Sequence, residues 1–145
     1  MFASTNGSKT LLAAAGMADR ILVGCFLNAG AAARLAAEER SDCLFACAGR
    51  EGRFSLEDTV CAGLSVHRIL RDHACTLTDE ARSALLLYRH YAHGLVDMAA
   101  GSMHGRFLSG LGLAADIPVC ASVDVTETVP VFSDGRIANP SMREP

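Results

Sequence analysis

The sequence predicts an α/β domain, a layered α/β/α arrangement around a largely parallel sheet. Three observations carry this expectation. Short runs at 20–27 ("RILVGCFL"), 43–48 ("CLFACA") and 117–123 ("IPVCASV") are apolar throughout rather than alternating, as in strands covered on both faces. Between them lie segments whose apolar residues recur at spacings of three and four, the period of a helix with one buried face. The two kinds of segment alternate along the chain, which favours right-handed crossovers within one sheet. A weaker strand-like run follows at 129–132.

The first helix is expected over 8–15, after the turn at Asn6-Gly7. The second covers 29–39, rich in alanine and ending in charges. The third follows Ser55, whose hydroxyl caps it, with Asp58 three residues on as the acidic half of a capping box. Leu56, Val60, Leu64, His67 and Leu70 form its buried stripe. The fourth begins after Thr78 and runs towards Gly101, with Ala81, Leu85, Tyr88, Ala92, Leu95 and Ala99 on one face. A shorter helix over 104–111 is closed by Gly112. Residues 1–139 thus read as one domain without repeat or linker, and 140–145 ("PSMREP") as a frayed tail.

The 145 residues suffice for one core, and half of them are hydrophobic, which argues against disorder. Thirteen basic and sixteen acidic residues give a net charge of -3 with no basic run, so nothing favours nucleic acid. The longest apolar stretch, 21–33, carries Asn28 and two glycines and is too short to span a membrane. The start matches a signal peptide poorly, leaving the cytoplasm as the expected compartment. Six cysteines without a Cys-x-x-Cys pair read as buried free thiols.

Four places carry residue types suited to an anion and its counter-ion. In "STNGSKT", the Asn6-Gly7 turn, Ser8 and Lys9 open a helix whose free N–H groups suit a phosphate or sulfonate. The same residues also make an ordinary helix cap. In "CAGREGRFSLEDTVCAG", Arg50 and Arg53 lie in a glycine-punctuated loop beyond a predicted strand, where ligands of open α/β sheets bind. Their guanidiniums suit a phosphate, and Glu57 and Asp58 beside them suit Mg²⁺, although both carboxylates also serve as helix-start acids. In "GSMHGRFLSGLG", His104 and Arg106 sit at another helix start, where the histidine either donates a proton to a leaving oxygen or caps the helix. Asp124 follows the run 117–123 as a strand-end carboxylate, a candidate metal ligand or the start of a turn. His90, His93 and Asp97 share a helix face, but it lies opposite the apolar stripe and reads as solvated.

Together the segments "STNGSKTL", "FLNAGAAA", "CAGREGRFSLEDTVCAG", "SMHGRFLSGLG" with "DIPVCASVD", and "VPVFSDGRI" resemble the 2-phosphosulfolactate phosphatases, in family order and up to Ile137. The resemblance implies a Mg²⁺-dependent phosphatase converting 2-phospho-3-sulfolactate to 3-sulfolactate and phosphate, a step towards coenzyme M. It implies Glu57 and Asp58 as metal or metal-water ligands, and His104 and Arg106 as substrate or leaving-group contacts. Arg50, Arg53 and the turn at Asn6, Gly7 and Ser8 would meet a small anionic phosphorylated substrate. Family members carry an N-terminal portion with an Asp-Val-Leu-Arg motif that this sequence lacks, so the chain reads as N-terminally truncated. Missing strands would expose a sheet edge and invite a homo-oligomer. An alternative reading is a non-catalytic anion-binding remnant or interaction subunit on the same fold.

Overall fold

In the computed structural model, which describes residues 6–139, one helix organises the rest. Helix α1 (Gly7–Ala14) leads to a short strand β1 (Ile21–Leu22), a 3₁₀ turn (Phe26–Asn28) and α2 (Ala29–Glu38). The long α3 (Leu56–Asp72) follows, then α4 (Asp79–Tyr91), α5 (Leu95–Gly101) and α6 (Met103–Gly110). A second 3₁₀ turn (Ala114–Asp116), α7 (Ile117–Cys120) and strands β2 (Val131–Ser133) and β3 (Arg136–Ala138) complete the described residues. No helix among them is long and apolar enough to cross a membrane. The expected frayed tail, 140–145, lies outside the described residues.

The predicted stripe of α3 is its buried face. Val60 and Leu64 are 0% exposed and meet Phe26, Ala29 and Met98 in the core, with Leu56, Leu87, Tyr88 and Leu95 packed around them. Burying each such side chain contributes about 1.5–3 kcal/mol relative to leaving it in water. α3 lies between α2 and α4 and reaches α5. Its close approach to α4 depends on Gly63, where a methyl group would stand 2.0 Å from the Ala84 carbonyl oxygen. The predicted fourth helix is broken in two, since the chain turns at 92–94 and restarts at Gly94. Both halves keep the expected stripe buried or half-buried.

The sheet differs from the expectation. Among the described residues it is antiparallel, in the order β1-β2-β3, with Ile21 opposite Phe132 and Phe132 opposite Ile137. Asp134 and Gly135 supply the reason: both have positive φ (50° and 73°), the two-residue turn that joins only antiparallel neighbours. The run 20–27 is a strand only at Ile21–Leu22. Asn28, 4% exposed, ends it by accepting the Cys25 N–H (2.8 Å) and donating to Val23 O (3.1 Å) and Thr128 O (2.9 Å).

The run 117–123 opens as α7, because Pro118 lacks the N–H a ladder needs but fits a first helical turn. Segment 43–48 pairs with no strand among the described residues. The thiols are all free, but Cys25, Cys43, Cys47, Cys75 and Cys120 are exposed rather than buried, leaving Cys61 half-buried against the core.

The Gly63 contact makes a direct prediction. Gly63→Ala should cost about 1–3 kcal/mol in urea unfolding by pushing α3 off α4. Gly110→Ala, whose methyl group meets only open space, should lie within about 0.5 kcal/mol of the parent protein.

Candidate functional site

The first turn of α3 is the anchor of the site. Ser55 Oγ accepts the Asp58 N–H at 3.2 Å, as the capping pattern requires. The reciprocal half of the box does not form. Asp58 Oδ2 instead accepts the Gly49 N–H at 2.7 Å, tying the preceding loop to the helix. That loop is a tight turn: Arg50 N donates to Arg53 O (3.0 Å) and Arg53 N to Arg50 O (2.9 Å). Between them Glu51 and Gly52 both take positive φ (53° and 74°). Gly49 is also left-handed (φ 66°), and a methyl group on it would stand 2.5 Å from Arg53 O.

Two further helix starts close on this turn. Asn6 Oδ1 accepts the Glu51 N–H at 3.1 Å, so α1 begins beside the arginines. The side chain of Asn6 makes no capping bond within its own helix, so among the described residues the first N–H groups of α1 have no side-chain cap. On the other side, the buried Ser102 hydroxyl caps α6 by accepting the Gly105 N–H at 2.9 Å. It reaches both Glu57 Oε1 and Ala99 O, and its single proton serves one of them at a time. Glu57 Oε2 accepts from Ser55 Oγ at 3.1 Å. Glu57 thereby bridges the starts of α3 and α6.

Arg50 and His104 meet through Phe107. The Arg50 guanidinium carbon lies 4.5 Å from the Phe107 ring centroid, a cation–π contact, and the His104 ring lies near-parallel to Phe107 at 6.2 Å and 18°. Arg53 is exposed, with no ion pair among the described residues. Arg106 turns back along its own helix start and donates to Gly101 O. Asn6, Arg50, Arg53, Glu57, Asp58 and His104 therefore gather where the 49–53 turn meets the starts of α1, α3 and α6, with Gly7 and Ser8 in the first turn of α1.

Asp124 does not join them. It accepts from Gly30 N (2.6 Å) and pairs with Arg68 (2.7 Å), a residue eleven positions along α3 from Glu57, roughly 16 Å by helical rise. The carboxylate serves the α2 start and Arg68, with no hydrogen bond among the described residues to Glu57, Asp58 or the 49–53 turn. His90, His93 and Asp97 are exposed, as expected. His90 and Asp97 line a shallow cleft of about 350 Å³ beside Leu56, and His93 does not. Ser102 and Phe107 were absent from the sequence candidates. The signal for Ser102 was its place before a helix start in "GSMHG"; nothing local marks Phe107.

Among the described residues no three His, Cys, Asp or Glu side chains are disposed around a common ion position. Mg²⁺ asks for less, taking one or two carboxylates and filling its octahedron with water and phosphate oxygens. Glu57 and Asp58 fit that sparse demand as hard oxygen donors at a helix start. Asp58 Oδ1 is the oxygen that the loop does not claim.

The residues of this site lie in a matched region of known kind. A family model described as 2-phosphosulpholactate phosphatase matches residues 1–135. The chain belongs to that family. A relative from Symbiobacterium thermophilum is 37% identical over 138 residues, covering 94% of this chain and 59% of its own length. Relatives from Caldanaerobacter subterraneus and Thermosynechococcus vestitus are 33% and 32% identical, covering 94% and 90% of this chain and 56% of their own lengths. Each of the three is named a probable 2-phosphosulfolactate phosphatase. The chain spans a little over half the length of these relatives.

Two outcomes test the scaffold of the site. Asp58→Ala should release the 49–53 turn, losing about 1.5–3 kcal/mol of stability, with faster exchange of the Gly49 amide, because it deletes a charged hydrogen-bond acceptor. Burial pushes the Cys61 thiol up to about 12 from an ordinary 9.0. Folding thus holds the proton more tightly, so this stabilisation is present below about pH 9 and is lost as pH rises towards 12. Cys61→Ala should show a shallower fall in urea midpoint between about pH 8 and pH 10 than the parent protein.

Proposed function

We propose that this chain forms part of a Mg²⁺-dependent phosphatase acting on a small anionic 2-phospho acid, with 2-phospho-3-sulfolactate as the substrate the relatives' names suggest. The observation that carries the reading is the convergence of the Arg50–Arg53 turn, the Glu57–Asp58 pair and His104 at three helix starts. Arg50 and Arg53 receive the phosphate, and the uncapped N–H groups at Gly7 and Ser8 add donors for its oxygens or for a sulfonate. The Arg50–Phe107 stack restricts one guanidinium before substrate arrives, which lowers the ordering cost of binding. His104 is exposed beside that stack and holds a ring N–H for the leaving alkoxide oxygen. Arg106 favours the same end of the substrate but is spent on Gly101 O until a stronger acceptor displaces it.

Glu57 and Asp58 would hold the ion, which when bound supplies positive charge against the phosphate oxygens. Ser102 and Ser55 orient Glu57 through its two oxygens. A reducing, cytoplasmic setting accords with six cysteines that are all free. For the full-length family fold, the layered arrangement with a largely parallel sheet stays part of this reading, supported by the continuously apolar run at 43–48. A step towards coenzyme M follows only if the sulfonated substrate is the right one.

The length of the relatives favours a second reading. If residues beyond this chain complete the site, the chain alone binds the anion without turnover. Phosphate release from 2-phosphosulfolactate, measured with Mg²⁺ and with chelator, separates the two. Metal-dependent release that falls at least ~100-fold in Glu57→Gln and in Arg53→Ala, with unchanged far-ultraviolet spectra, supports the phosphatase. Binding of the substrate without release, weakened by Arg53→Ala alone, supports the remnant. Neither release nor binding by the folded protein overturns both.

A further inference from the structure

Segment 43–48 stands out as an unfinished piece of sheet. The chain runs from 42 to 49 with no helix, turn or bend, and a stretch of that length without a bend is extended. Its residues, "CLFACA", carry neither charge nor proline. Leu44 is 75% exposed, Ala46 is exposed and Phe45 is half-buried. Among the described residues its main-chain N–H and C=O groups make no hydrogen bond. A neutral, apolar, extended segment with open donors and acceptors is a template for an added strand. Proteins that keep such an edge free usually blunt it with lysine, proline or a bulge, and none is present here.

The surface says what kind of polypeptide adds to it. The protein exposes 10021 Å², whereas a compact monomer of its 15.2 kDa exposes about 7,100 Å². Large apolar side chains are exposed on several elements, among them Leu12 on α1, Leu86 on α4, Met103 on α6 and Val119 on α7. A second copy paired along one edge would leave most of these in water. The relatives offer a larger cover: 94% of this chain matches only 59% of the Symbiobacterium thermophilum protein. The contact from Asn6 to Glu51 brings the start of α1 to the same end of the molecule as segment 43–48.

We infer that 43–48 is the edge to which the part of the family fold lying outside this chain adds a strand. Main-chain hydrogen bonds along 43–48 give the affinity, and apolar side chains over Leu44 and Ala46 give the fit. The inference rests on family membership and the exposed edge, and holds whether or not the site is catalytic.

The test is to coexpress the 145-residue chain with the portion of the Symbiobacterium thermophilum relative outside the matched region, then read amide hydrogen exchange in the copurified material. The expected result is a one-to-one complex in which exchange across 43–48 slows ~100-fold or more relative to the chain alone. Ala46→Pro and Cys47→Pro remove ladder N–H groups from opposite edges. At least one of them should abolish the complex while leaving the helical far-ultraviolet signal intact. Failure to copurify overturns the inference, as does a complex in which 43–48 exchanges as fast as before. Protection already present in the chain alone, together with a dimer by light scattering, assigns the edge to a second copy and overturns it equally.

Discussion

The packing of α3 against α4 through Gly63 is the constraint on which the other parts depend. With a hydrogen in place of a side chain there, the Ala84 backbone comes close enough for Val60 and Leu64 to be sealed from water. Interiors packed to this density do not slide or rotate cheaply. The orientation of α3 is therefore fixed at its middle, and both ends inherit it. The N-terminal end presents Glu57 and Asp58 to the arginine turn, while Arg68 further along is committed to Asp124. One rigid helix thus sets which carboxylates share a site and which are kept apart.

Around that rigid start, the polar contacts are structural and chemical at once. Asp58 holds the turn that displays Arg50 and Arg53, and the same carboxyl group has an oxygen left over. Glu57 receives hydroxyls from Ser55 and Ser102, so the starts of α3 and α6 are joined through one side chain. Asn6 spends its amide oxygen on Glu51, so the start of α1 is held to the turn as well. Charged hydrogen bonds of this kind are worth more than neutral ones and leave a large penalty when one partner is removed. Loss of function in a variant here is informative only when its stability is measured too.

Family membership and the open surface fit one description. The matched region accounts for a little over half of each relative's length. The chain meanwhile shows apolar side chains on several elements and an extended run without ladder partners among the described residues. A small core is hard to close alone because surface grows slowly relative to buried volume. The helices bury their apolar faces where they meet α3, while Leu12, Met103 and Val119 on α1, α6 and α7 stay exposed.

The sequence by itself determined what depends on neighbours a few residues apart. The Ser55 cap, the stripe of Leu56, Val60 and Leu64, and the helix after Thr78 follow from local hydrogen bonding and the 3.6-residue period. The Asp134-Gly135 turn carries an equally local signal, one that the sequence expectations left unread: that dipeptide favours the left-handed pair of conformations a tight hairpin needs. Tertiary structure decided the rest. Whether "CLFACA" pairs, whether "IPVCASV" is strand or helix, and whether Asp124 joins Glu57 or Arg68 are all set by partners distant in the chain. An apolar run states only that it avoids water, and a carboxylate only that it wants a cation. Which surface and which cation each one finds depends on how α3 is packed.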